Sequence, residues 1–210
     1  MRFASDRLWM TVLLLIVGCT APEASKPDSG NLVASSADTP LASNLSQNLP
    51  ERKTETIFVE GEPQEMTLKL YQEDQIPVVT YYPENLSVNS ACSHEGCGVF
   101  FELLEAQVHV FVPPADTTFE ELEMGVTGDR GLLASNGWQQ REFNNSPSYS
   151  WETKNIQFYD SEKNLLGSVH LGESEGQVFR VTVVFPGDMG DGFAPRADMI
   201  LKNLQVGSMN

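Results

Sequence analysis

No apolar stretch of this chain approaches membrane-spanning length. The longest, residues 8–17, would rise only about 15 Å as a helix, roughly half of a hydrocarbon core, so an ordinary transmembrane span is excluded there. Basic residues are scarce too: 13 Lys and Arg face 29 Asp and Glu, for a net charge of −16 at pH 7. Nucleic acid needs clustered cations to meet its phosphates, and this composition argues against it. It also argues against docking on anionic lipid through protein charge; solubility, a basic partner or bound divalent cations fit it. No serine sits in a nucleophile elbow, no glycine-rich loop suits a phosphate, and no paired-histidine metal motif occurs. The chain therefore reads as non-enzymatic. Cysteine is rare, with three in all and none after Cys97.

What is present begins at the N-terminus. Arg2 and Arg7 flank a charged start, the apolar stretch follows, and Gly18-Cys19 closes it. These are the parts of a secretory signal. Ile16-Val17-Gly18-Cys19 also resembles the bacterial lipobox, which implies cleavage before Cys19 and a lipid on that cysteine. Stable anchoring takes two or more acyl chains. The expected address is a membrane-anchored lipoprotein facing the periplasm, the thylakoid lumen or the cell exterior. Residues 19–54 are rich in Ser, Ala, Pro, Asn, Asp and Thr, and no aromatic occurs between Trp9 and Phe58. Such a segment cannot bury enough surface to order itself and reads as a tether reaching roughly 30 Å. The signal thus takes residues 1–18, the lipidated tether 19–54 and a single domain 55–210.

Within that domain the period is first that of strands: 56–60, 65–71, 78–82, 86–91, 98–104 and 106–112 alternate or are β-branched between turn residues. Val108, Val110 and Val112 share one face of the last of these, and Gln107, His109 and Phe111 the other. Pro113-Pro114 ends it. Thr118-Phe119-Glu120-Glu121 has capping-box spacing and starts a short helix to about Gly125. A second turn or helix across 130–136 stops at Gly137. Strands return at 154–160, 165–171 and 177–185. Phe193, Ala197, Ile200, Leu201 and Leu204 recur at helical spacing, with Pro195 expected in the first turn. Strand runs joined by short turns, with helices set apart, indicate an antiparallel α+β fold.

Tyr82-Pro83-Glu84-Asn85-Leu86, the valine-rich strands, the short helix, Gly137-Trp138, three further strands and a helix ending Ile200-Leu201-Lys202-Asn203-Leu204 resemble, in order and spacing, the PsbP/Mog1-like domain. The resemblance covers residues 55–206 without an invariant motif. It implies an antiparallel sheet flanked by helices, an α/β/α sandwich, and an association with photosystem II of the kind photosynthetic members make. A lipid-anchored cyanobacterial relative fits both ends of the chain.

Cys92-Ser93-His94-Glu95-Gly96-Cys97 is the densest cluster of chemistry-bearing residues. Cys92-Ser93-His94 resembles the first box of Rieske proteins, but a Rieske centre needs two cysteines and two histidines, and no second box follows. With Cys19 lipidated, Cys92 and Cys97 make an even pair, which outside the cytoplasm favours a disulfide. A zinc or copper site with His94 and Glu95 and a reactive thiol pair are the alternatives; four ligands in six residues would crowd a tetrahedral ion. Asp188 and Asp191, in Gly187-Asp188-Met189-Gly190-Asp191-Gly192, are candidates for calcium, though the EF-hand spacing is missing and a glycine-rich turn into the last helix is the plainer reading. His109, His170 and Arg180 fall on the non-valine faces of their strands, and would form a polar patch with Gln107 and Thr182 if those strands were neighbours. Trp138 and Trp151 flank Asn144-Asn145-Ser146-Pro147; they either present aromatics to a partner or lie in the core. With no cofactor required by these residues, the reading is a non-enzymatic, membrane-tethered interaction or assembly factor for a membrane-protein complex. The alternative is an extracytoplasmic binding module for a metal ion or small molecule.

Overall fold

Alternating strands commit this chain to sheets, and the computed structural model divides them between two. It describes residues 49–59, 61–141 and 146–208. The signal, Cys19 and most of the tether lie outside the described residues, as do Asn144 and Asn145. Strands β1 (Arg52–Val59), β2 (Glu62–Glu73), β3 (Ile76–Pro83), β4 (Ser87–Ser93), β5 (Gly96–Leu103) and β6 (Ala106–Val112) come first. Helices α1 (Phe119–Thr127) and α2 (Leu132–Asn136) follow, then β7 (Gln139–Arg141), β8 (Glu152–Asp160), β9 (Leu165–Ser174) and β10 (Gln177–Pro186). A 3-10 turn leads into α3 (Gly190–Lys202), and β11 (Gln205–Val206) ends the fold.

The smaller sheet has the order β1-β2-β3-β11 and the larger β4-β5-β6-β10-β9-β8-β7, antiparallel throughout. Two meanders, β4-β5-β6 and β7-β8-β9-β10, are therefore joined edge to edge by the β6–β10 pairing, with α1 and α2 on the connection between them. The fold is α+β with antiparallel sheets and helices on both sides of the larger one.

Register aligns side chains in rows across all seven strands, because directly paired residues point the same way. One row reads Arg141, Gln157, Ser168, Val183, Val108, Phe101 and Val88. The next reads Asn155, His170, Val181, Val110, Val99 and Ser90. Phe101 and the valines other than the half-buried Val88 are buried with Phe193, Ala197, Ile200 and Leu201 of α3 and Tyr71, Ile76 and Val78 of the smaller sheet. On the opposite face Ile156, Phe158, Val169, Leu171 and Val184 pack under Leu122 and Val126 of α1 and Leu133 of α2. The alternation in β10 thus serves two cores, Val181 and Val183 in one and Val184 in the other, while the buried residues of β6 all lie in the first.

Local signals set the helix limits. Thr118 accepts from the Glu121 amide at 3.2 Å and Glu121 accepts from the Thr118 amide at 2.9 Å, a complete capping box. Gly137 stops α2 with φ +71°, a backbone state that costs glycine least. Three expectations shift. β1 begins at Arg52, inside the segment expected as tether, and just before it Glu51 and Pro50 accept through their carbonyls from the Leu70 amide and the Tyr81 hydroxyl. α3 starts at Gly190, so Pro195 lies past its first turn and removes the bond to the Asp191 carbonyl. β7 and β11 are additional strands of three and two residues, held by pairing with β8 and β3.

Candidate functional site

The polar ends of the two rows converge on a cleft of about 320 Å³ between the β8–β9 side of the larger sheet and α3. Ser168 and His170 stand two apart on β9, so both face it. Ser168 Oγ is 2.8 Å from His170 Nε2, and His170 Nδ1 is 2.7 Å from Glu152 Oε1. Both His170 and Glu152 are buried.

Glu152 reaches His170 through a bulge. Lys154 pairs with Leu171 but Glu152 with Gly172, leaving Thr153 as the extra residue. Without the bulge Thr153 would oppose Gly172, and Glu152 would turn to the other face. Gly172 has to be glycine: a Cβ there would lie 2.5 Å from the Trp151 carbonyl oxygen and 2.6 Å from its ring. The other carboxylate oxygen of Glu152 accepts from the amides of Ser148 and Tyr149. Burial alone would raise the Glu152 carboxyl. The His170 hydrogen bond and the two amides outweigh it and hold the group below its ordinary value. Since ionised Glu152 only accepts, His170 Nδ1 carries the hydrogen of that contact, and Nε2 is the nitrogen that faces Ser168.

Aromatic side chains and α3 fix the remaining geometry. Tyr149 and Trp151 stack at 5.3 Å and meet the His170 ring edge-on at 5.6 and 6.3 Å. Trp151 Nε1 donates to the Leu201 carbonyl at 3.1 Å, and Tyr149 Oη to Asp198 Oδ1 at 3.1 Å. Burial first, and the Asp198 charge second, push the Tyr149 phenol well above its ordinary value. Asn155, beside His170 in its row, is 9% exposed, and its side-chain oxygen has no partner among the described residues.

Residues singled out in the sequence are separated. Cys92 and Cys97 are a directly paired cross-strand disulfide closing the β4–β5 hairpin. His94 is exposed in its turn, while Asp188 and Asp191 are exposed at the start of α3; among the described residues no three His, Cys, Asp or Glu side chains converge as a metal site would require. Trp138 stacks on Phe158 at 4.0 Å and Trp151 packs on Phe179 at 5.1 Å, so both tryptophans join the core.

The expected polar patch forms only in part. Thr182 pairs with His109 and Arg180 with Phe111, on the face opposite the cleft. The His109 ring stacks on Phe100 at 4.0 Å, and the Arg180 guanidinium lies 4.7 Å from the Phe111 centroid. His170 is on the other side: its neighbour Val169, not His170, shares a face with Thr182, because β9 turns its valine toward α1. Burial, then the Arg180 charge, lower the His109 pKa to about 4. Burial also lowers the pKa of Arg180, which makes no ion pair among the described residues. Sequence reading missed Glu152, Ser168, Tyr149, Asn155 and Asp198. Only the Ser168-x-His170 spacing on one strand face signalled any of them.

No protein family's profile and no curated protein matches the sequence. Among solved structures the chain is similar to the solution structure of cyanobacterial PsbP (CyanoP) from Synechocystis sp. PCC 6803, with 14% identity, 66% of this chain and 92% of that chain covered, and a TM-score of 0.47.

Proposed function

We infer that this chain is a membrane-tethered accessory domain that docks on an acidic group of a membrane-protein complex through the face carrying Phe100, His109, Phe111 and Arg180. One observation carries the reading. In a chain with 29 acidic residues, Arg180 has no carboxylate partner among the described residues. A cation that is partly desolvated and packed on an aromatic ring gains most from a carboxylate brought by a partner. Nearby, Thr182 is 4% exposed and its hydroxyl has no partner among the described residues, where the core cluster on this side contains no residue of β4, β5 or β6. The lipobox resemblance at Cys19 supplies the tether. The PsbP/Mog1-like order of the sequence makes photosystem II the first complex to examine.

The test is gentle detergent extraction of a C-terminally tagged chain from native membranes, with identification of what co-purifies. Cys19→Ala separates binding from shared lipid, and Arg180→Gln tests the docking face. A stoichiometric partner lost with Arg180→Gln supports the reading. Recovery of the wild-type chain alone overturns it.

A further inference from the structure

A second activity lies on the opposite face of the same sheet. We propose that Ser168, His170 and Glu152 form a hydrolytic site for small carboxylic esters in the cleft beneath α3. The inference goes beyond the docking role and does not depend on it.

The linkage has the order that nucleophilic catalysis needs. A hydroxyl lies within hydrogen-bond reach of an imidazole, and the far nitrogen of that imidazole is held by a buried carboxylate. Nε2 faces the serine and Nδ1 the acid, the arrangement that recurs on unrelated folds. Glu152 serves only Nδ1 of the buried ring. Here the second nitrogen faces a half-buried hydroxyl in a cavity.

Other groups in the cleft complete the site. Gln157 is the direct cross-strand neighbour of Ser168, and Arg141 is the next residue in the same row. Both line the cleft and carry side-chain N–H groups, the donor type that charge developing on an attacked carbonyl oxygen needs. Val183 and Phe185 of β10 and Ala197 and Leu201 of α3 add apolar lining. A volume near 320 Å³ is at the small end for ligand sites, which selects a short acyl chain. The side-chain oxygen of Asn155, without a partner among the described residues, offers an acceptor to a donor on that acyl group.

The chemistry closes without a co-reactant other than water. Ser168 Oγ bonds to the ester carbon while its proton passes to His170 Nε2, and the carbonyl electron pair moves onto oxygen. Collapse breaks the bond to the leaving alkoxide, which takes the proton from Nε2 and departs as the alcohol. Water then gives a proton to Nε2 as its oxygen bonds to the acyl carbon. The carbon–Oγ bond breaks, Oγ recovers that proton, and a carboxylic acid leaves. Ser168 and His170 are the catalytic residues; Glu152 is a positioning residue acting through His170.

The experiment uses the full-length chain in detergent, with a fluorophosphonate probe and p-nitrophenyl acetate and butyrate as substrates. The expected result is one phosphonyl group per chain on Ser168, located by peptide mass spectrometry. Ester turnover should fall at least about 100-fold in Ser168→Ala. Glu152→Gln should lose kcat with KM unchanged, and Glu152→Asp should recover part of it, a split that a purely structural role would not give. Because Glu152 variants risk unfolding, Ser168→Ala is the deciding variant, with its fold checked by near-ultraviolet circular dichroism. An unlabelled wild-type chain, or turnover unchanged in folded Ser168→Ala, overturns the proposal. Partner capture through Arg180 is a separate measurement, so either reading can fail alone.

Discussion

Glu152 and His170 meet at 2.7 Å, Oε1 to Nδ1, although they lie 18 positions apart in the sequence. The contact depends on one extra residue in β8. The bulge at Thr153 selects which neighbour faces the cleft, and the two amides that hold the other carboxylate oxygen come from the turn just before the strand. A buried carboxylate satisfied on both oxygens fixes the imidazole's tautomer and orientation as well as its place.

Removing that carboxylate should be costly. Glu152→Ala strands His170 Nδ1 and the amides of Ser148 and Tyr149 in a buried setting. A loss of roughly 3 kcal/mol or more is expected from urea denaturation at pH 7. The Glu152 pKa is depressed by folding, so its stabilisation is complete above the ordinary carboxylate value and is lost as pH falls through the folded value. The deficit of Glu152→Ala should therefore shrink on acidification below about pH 4.5. A deficit constant with pH would mean that the carboxylate is not held in its ionised form.

Gly172→Ala tests the bulge itself. Its Cβ would overlap the Trp151 backbone and ring, neither of which is free to swing away, since Trp151 Nε1 is tied to the Leu201 carbonyl. Overpacking of this kind typically costs about 1–3 kcal/mol. The displaced strand should also draw Glu152 from His170, read as a change in the His170 imidazole nitrogen resonances. A neutral substitution with unchanged resonances would show that the bulge tolerates a side chain.

The extent to which this was readable in advance differs by element. Alternation announced β6, where valines serve one core and Gln107 and His109 face away, and β10, where Val181 and Val183 serve that core and the other face is mixed. The capping box at Thr118 announced α1. The two-sheet arrangement was not legible, because the division depends on β3 pairing with β2 and β11 rather than with β4, and the larger sheet on β6 pairing with β10 across 64 intervening residues, neither of which periodicity reports. β7 and β11 are too short and polar to carry a pattern. The site was hidden for a more specific reason. Glu152 faces the cleft only because of the bulge, and a reading that starts the strand at Lys154 leaves it in a loop. His170 was visible as a residue opposite Val169, but which side of the sheet that meant depended on which face α1 covers.

The disulfide should stabilise modestly. Cys92 and Cys97 close a loop only five residues apart in sequence, for which the chain-entropy account gives about 2 kcal/mol. Cys92→Ser with Cys97→Ser should shift the urea midpoint by that amount while leaving the β5–β6 core formed, because the neighbouring Val99, Phe101, Val108 and Val110 are buried independently of the bridge. Unfolding of the double variant at 25 °C would place far more of the fold's stability in this hairpin than its loop length allows.

His109 should make stability depend on pH above the range in which ordinary carboxylates titrate. Its ring is stacked on Phe100 and lies so close to Gly98 that a Cβ there would sit 2.9 Å from Nε2. Arg180 is the charged neighbour on the paired strand, and its charge disfavours a second cation. The folded pKa is about 4, below the ordinary 6.5. Between those values the unfolded chain binds a proton that the folded chain refuses, so stability falls as pH falls from 6.5 toward 4 and this contribution levels off below that. The shift corresponds to at most roughly 3 kcal/mol. His109→Phe keeps a stacked ring and removes the titration. The stability of the variant relative to wild type should therefore rise by up to that amount across the window, measured by urea denaturation at half-unit pH steps. Parallel curves for the two proteins would mean that His109 titrates alike folded and unfolded, and that the aromatic face around it is open to water.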